Sequence, residues 1–83
     1  MKINYLSWLH EKTNCHHETV NLPNAISTID ELIGYLQTQD VRYQNLFQHK
    51  NTIYVAVNGE TKDFSTSITN QDELSFFSPI VGG

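Results

Sequence analysis

Apolar residues recur along this chain with two different periods. Near the N-terminus Ile3, Tyr5 and Ser7 alternate with Asn4, Leu6 and Trp8 in a run rich in β-formers, which predicts a first strand. A short polar helical turn follows over Leu9, His10, Glu11, Lys12, Thr13 and Asn14, with Asn14 suited to a left-handed C-cap. Residues 18–22 alternate again and Pro23 ends them, so a second strand forms a hairpin with the first. Thr28 and Glu31 then stand at capping-box spacing, each able to satisfy a backbone donor near the other. Ile29, Leu32, Ile33 and Leu36 follow at i, i+3, i+4 and i+7, one apolar stripe suited to lying across a sheet. Val41, Leu46 and Phe47 predict a second, shorter helix before a polar break at residues 48–51.

The period then returns to two. Residues 52–57 read as a strand with Ile53, Val55 and Val57 on one face, and Asn58-Gly59 supplies the dipeptide for a tight hairpin turn into residues 61–64. Residues 65–72 are turn-rich, and residues 73–78 form a last strand that Pro79 ends. The order β-β-α-(α)-β-β-β predicts an α+β fold, a mixed sheet of about five strands with one main helix packed across a face.

Composition narrows the function. With 83 residues the chain is expected to be one domain, 1–83, burying ~60–65% of its unfolded surface, too small for a large catalytic cleft. Five Lys and Arg stand against nine Asp and Glu, a net charge of -4, which disfavours nucleic acid and favours a basic protein surface as partner. The first residues lack a signal-peptide core, and no run approaches the ~20 apolar residues that cross a bilayer, so a cytoplasmic location without membrane contact is expected. A lone cysteine, Cys15, fits a reducing compartment.

Little chemistry is visible in the side chains. Cys15, His16 and His17 are the one cluster of soft ligands, but neighbours on an extended segment point to opposite faces and no second cysteine pair completes a tetrahedron, so no metal is expected. His10 and His49 read as solvated, and Cys15 has no oriented base to make it a nucleophile. Asp63, Asp72 and Glu73 sit in or beside turns, where Asp commonly caps its own backbone. Gly34 and Gly59 are isolated, so no phosphate-cradling loop exists and no bound cofactor is expected.

Elimination leaves the end of the sequence, where Gly82-Gly83 follows directly on Phe76-Phe77-Ser78-Pro79-Ile80-Val81. At an average glycine frequency of ~7%, such a pair closes roughly one chain in two hundred. Two residues without side chains put the carboxylate on the slimmest backbone available, able to enter a narrow tunnel in another protein. Residues 79–83, read as an extended flexible tail, can span ~17 Å, and ordering them costs roughly 1–2 kcal/mol each, which apolar contacts must offset. Phe76, Phe77, Ile80 and Val81 are the candidates, divided between core and interface by strand alternation.

The run from Phe76 to Gly83 resembles the C-terminus of the small, sulfur-carrying (MoaD-type) subunit of molybdopterin synthase, a ubiquitin-like β-grasp family. Leu9 to Asn14 is similar to the family's short helix after strand one, Ala56-Val57-Asn58 to its central strand and turn, and Asp72-Glu73-Leu74 to the start of its last strand. Ser78 replaces a frequent proline, and Asn14 and Gln71 stand where glycine is common, which points to Asn70 as the residue taking the unusual conformation in that turn.

The resemblance implies that an E1-like enzyme, using ATP and Mg²⁺, adenylates the Gly83 carboxylate, and that a sulfur donor converts it to a thiocarboxylate. It implies that Gly82, Val81, Ile80, Pro79, Phe77 and Phe76 dock partners, and that the tail enters the large synthase subunit to deliver sulfur to cyclic pyranopterin monophosphate. In that role the chain is a non-catalytic donor subunit, assembled as a heterotetramer. A thiamine-type carrier, a carrier for tRNA thiolation or protein conjugation, and a non-catalytic ubiquitin-like interaction module are the alternatives. The paired Phe before Pro and the chain length favour the molybdopterin role.

Overall fold

The computed structural model describes residues 1–48 and 50–79. Strand β1, Lys2–Tyr5, leads into helix α1, Leu9–Thr13, and strand β2, His17–Thr19; helices α2, Ile29–Gln39, and α3, Val41–Phe47, precede strands β3, Tyr54–Val57, β4, Glu60–Lys62, and β5, Glu73–Phe77. The strands form one sheet in the order β2-β1-β5-β3-β4, with β5 parallel to β1 and antiparallel to β3. A strand at the end of the sequence thus lies at the centre of the sheet, the ubiquitin-like β-grasp arrangement expected above.

Strand alternation and helix period converge on one core. Ile3, Tyr5, Val55, Leu74 and Phe76 face inward from the sheet, and Ile29, Leu32, Ile33 and Leu36 supply the stripe of α2; all are buried. The start of α2 carries its full predicted capping box: the Thr28 hydroxyl accepts from the Glu31 N–H at 3.2 Å, and Glu31 Oε1 accepts from the Thr28 N–H at 3.1 Å. Two further donors at that terminus, the N–H groups of Ile29 and Asp30, reach the carbonyls of Thr66 and Phe64. Helix ends leave such donors unpaired within the helix, so the turn-rich segment after β4 completes them and is pinned to α2 in return.

Asn14 takes φ 60 as the C-cap of α1, and Asn58 and Gly59 take φ 52 and 85 in the β3–β4 hairpin. The expectation for Asn70 fails. Neither it nor Gln71 is among the positive-φ residues; instead Asp72 accepts from the Thr69 N–H at 2.7 Å and closes the turn with ordinary backbone. Several boundaries also move. The first strand stops at Tyr5 because Ser7 turns to φ 56. The second begins at His17 and ends early, since the Leu22 N–H donates to Asn70 Oδ1 at 2.8 Å and not to the sheet. Lys50–Thr52 coil into a 3₁₀ turn, delaying β3 to Tyr54, and Asp63 begins a turn by accepting from the Ser65 N–H at 3.0 Å, ending β4 at Lys62.

Candidate functional site at the end of the central strand

Strand β5 sorts the paired phenylalanines onto opposite faces. Phe76 is wholly buried, stacked on Tyr5 at 6.2 Å between centroids and met edge-on by Phe47 at 5.3 Å. It has no exposed surface with which to dock a partner, so its assignment to the docking set is corrected: it anchors the strand in the core. Phe77, one step later, is half-buried on the other face. Its ring meets Tyr54, its cross-strand neighbour, edge to face at 5.9 Å and 87°. Such a pair contributes ~0.5–1.5 kcal/mol beyond the area it buries.

Tyr54 is 50% exposed, and Leu6 is 46% exposed. Tyr5 pairs with Phe76, and the Leu6 N–H donates to the Phe76 carbonyl at 2.9 Å, so Leu6 lies alongside Phe77 across the parallel β1–β5 ladder. Leu6, Phe77 and Tyr54 therefore belong to three adjacent strand paths and form an apolar patch where β5 ends. Clustered apolar exposure of this kind marks a contact surface more often than isolated residues do. Ser78 is buried, Pro79 is exposed, and the Ser7 hydroxyl lies 3.5 Å from the Ser78 carbonyl oxygen. The remaining predicted site residues, Ile80, Val81, Gly82 and Gly83, lie outside the described residues, as does His49.

Leu6 and Tyr54 were missed as site residues in the sequence, although a signal was present. Each is a large apolar or aromatic side chain standing in the polar phase of its strand, Leu6 out of step with Ile3 and Tyr5, Tyr54 with Ile53 and Val55. Beside Tyr54 a groove of about 420 Å³ opens between β3, β4 and the 3₁₀ turn. Lys50 crosses its wall, 5.1 Å from the Phe64 ring centroid and 2.5 Å from Asp30 Oδ1, while Lys62 reaches Glu60 at 3.3 Å. Both pairs are solvent-exposed and contribute little to stability.

The other clusters have local work to do. The Cys15 thiol points at Thr13 Oγ1, His16 stacks on His10 at 4.3 Å, and His17 belongs to an edge strand. Among the described residues, no three His, Cys, Asp or Glu side chains are placed to hold a metal. Hydrogen bonds from the Ser65 hydroxyl and N–H hold the Asp63 carboxyl below its usual range, and bonds from the Asn58 amide and the Thr69 N–H do the same for Asp72. Glu73 Oε2 accepts from Asn4 Nδ2 at 2.7 Å. No described helix is long and apolar enough to cross a membrane.

Comparison with known proteins agrees with this geometry. A Pyrococcus furiosus protein described as a candidate molybdopterin converting factor, subunit 1, superposes with a TM-score of 0.75 at 18% identity, over 95% of each chain. The crystal structure of SAMP1 from Haloferax volcanii superposes with a TM-score of 0.74 at 21% identity, over 100% of this chain and 98% of that one. At these identities the likeness establishes the fold. No curated protein sequence matches the chain significantly. Residues 3–83 match the ThiS family, and the chain belongs to this family of ubiquitin-fold sulfur carriers.

Proposed function

We propose that the chain is the sulfur-carrier subunit of a molybdopterin synthase, with the Gly83 carboxylate as its reactive group. The observation that carries the reading is the position of the Leu6, Tyr54 and Phe77 patch at the end of β5, where the sequence runs on through Pro79 to Gly82-Gly83. A partner that covers the patch stands at the root of that segment. Docking and delivery then share one end of the fold.

The chemistry begins with a carboxylate, which is a poor electrophile. Attack of the Gly83 carboxylate oxygen on the α-phosphorus of ATP, bound with Mg²⁺ by an adenylating enzyme, releases pyrophosphate and leaves an acyl-adenylate. Hydrosulfide then adds at the acyl carbon, AMP departs and the sulfur loses its proton, giving the thiocarboxylate. Gly82 lets the backbone pass where a Cβ would clash, and Pro79, Ile80 and Val81 line the path into the large synthase subunit. Lys and Arg of that subunit hold the anionic cyclic pyranopterin monophosphate, since this acidic chain cannot. The location that fits these partners is cytoplasmic.

Incubation with ATP, Mg²⁺, an adenylating enzyme and sulfide, followed by intact-mass measurement, is expected to give the O-to-S increment on the full chain. Gly82→Ala and Gly83→Ala are expected to retain the fold and slow loading severely, and undiminished loading would count against the need for two residues without side chains. Removal of both glycines should abolish loading, and an O-to-S increment on the truncated chain would reject the Gly83 carboxylate as the sulfur carrier. The ThiS family match favours a second reading, sulfur donation to thiamine thiazole formation. Turnover of the loaded chain with the large molybdopterin synthase subunit and pterin precursor, set against turnover with a thiazole synthase, decides between the two.

A further inference from the structure

We propose that Ser7 is a positioning residue that fixes the direction in which the chain leaves the sheet after β5, at Ser78 and Pro79, and so governs how readily the chain is presented to the adenylating enzyme. The inference deepens the carrier reading above and rests on it. Ser7 holds φ 56, a conformation unfavourable for a residue that is neither Gly, Asn nor Asp. Such strain persists where surrounding contacts over-determine it, and here they do. The Leu6 N–H is tied to the Phe76 carbonyl at 2.9 Å, the Leu9 N–H to the Leu6 carbonyl at 3.1 Å, and His10 Nδ1 lies 3.1 Å from the Ser7 carbonyl oxygen.

The left-handed turn aims the Ser7 hydroxyl at the Ser78 carbonyl, 3.5 Å away. Ser78 is the last buried residue before exposed Pro79. A contact there acts on the root of the segment and not on its tip, and Pro79, with φ fixed by its ring, carries a change of direction onward. Leu6, a patch residue, is the immediate neighbour of Ser7. A partner seated on Leu6 therefore bears on the same loop that holds the exit of the chain. Misplacement of a reacting group by about 1 Å costs as much as ~100-fold in rate, so a strap at the root can govern turnover without contacting the reacting atoms.

The test uses three variants of the full chain. Ser7→Gly accepts the backbone turn without strain but lacks the hydroxyl; Ser7→Ala lacks it with the strain retained; Ser7→Asn tolerates the turn and restores a donor. Two measurements are made: ¹⁵N relaxation at the Ser78 amide in the free protein, and kcat and KM for the chain as substrate of the adenylating enzyme. For Ser7→Gly the expected result is greater mobility at Ser78, KM within about twofold and kcat lower by about tenfold, with Ser7→Asn returning both towards wild type. Unchanged relaxation at Ser78 overturns the strap whatever the enzyme does. Increased mobility with unchanged kcat, a rise in KM alone, or failure of Ser7→Asn to rescue overturns its role in presentation. If the wild-type chain is never adenylated, the carrier reading fails and the role in presentation fails with it, while the relaxation data still decide the strap.

Discussion

The carboxylate of Glu18 is a point at which a single polar-to-apolar substitution should do large damage to the fold. Its Oε2 accepts from the Tyr5 hydroxyl and the Tyr43 hydroxyl, each at 2.7 Å, joining β1, β2 and α3. Tyr5 is 1% exposed and Tyr43 4%, so neither phenol can turn to water when the acceptor is lost. Arg42, 3.4 Å from the Tyr43 oxygen, only donates and offers no replacement. Glu18→Gln keeps an acceptor and loses the charge assistance, about 1 kcal/mol for each bond and about 2 kcal/mol together. Glu18→Leu leaves both phenols unsatisfied at about 1–3 kcal/mol each. Against a total of about 4–12 kcal/mol for 83 residues, the second change brings the fold close to its limit. Urea unfolding should show a lowered midpoint at unchanged slope. The diagnostic comparison is Glu18→Leu combined with Tyr5→Phe and Tyr43→Phe: with the orphaned hydroxyls gone, the triple variant should be more stable than the single one. A single variant within about 0.5 kcal/mol of wild type, or a triple variant no better than it, would refute the reasoning.

The same phenols set the alkaline limit. Burial first, and then the bond to Glu18, push both well above their ordinary 10.0; the unfolded chain releases these protons near that value while the folded one keeps them, so stability should fall as pH rises above about 10, less so in Tyr5→Phe. On the acid side, donors from Ser27 and Thr28 hold the Glu31 carboxyl below its ordinary 4.5, while those on Asp63 and Asp72 hold each below 3.8; stability from these groups is complete above about pH 4.5 and should be lost as pH falls below it, read by circular dichroism along an acid titration. Leu6→Asp or Tyr54→Asp places a charge in the patch without touching the core, and should weaken binding to the adenylating enzyme by tenfold or more (about 1.4 kcal/mol) while leaving the melting temperature nearly unchanged; undiminished affinity in calorimetry would remove the patch from the interface.

Most of the fold was legible because its signals are local and agree with one another. The capping box at Thr28, the stripe of α2, the left-handed cap at Asn14 and the Asn58-Gly59 turn each depend on residues within one or two turns of chain, and each stands where the pattern put it. What the sequence concealed depends on contacts between distant residues. The Leu22 N–H has a side-chain acceptor 48 positions away, and this shortens β2 in a way no local pattern reports. The Glu18 network joins three elements through one oxygen, and an isolated Glu between polar neighbours carries no sign of it. The unusual conformation expected near Asn70 lies instead at Ser7, a residue with no propensity for it, because three contacts around the loop outweigh local preference. The site was half legible for a related reason. Alternation alone divides Phe76 from Phe77, but only the strand order brings Leu6 and Tyr54 to Phe77's sides.

Under the proposed carrier role, that strand order lets one end of the fold serve both stability and exchange of partners. A strand at the sheet's edge would leave its terminal residues free to shift with the segment that follows; β5 is hydrogen-bonded on both flanks, to β1 and β3, up to its last residues. Phe76 adds the burial of a whole aromatic side chain, worth ~1.5–3 kcal/mol, directly before the chain leaves the sheet. Force applied to the end of β5 would thus be resisted by two ladders and a core ring. Phe77 sits on the same strand facing the other way, so its contact with Tyr54 lies outside the core that Phe76 fills. Inward and outward residues of a single strand divide the labour: Phe76 fills the core, while Phe77 stands half-buried against Tyr54 on the face that a docked partner would cover in the proposed carrier role.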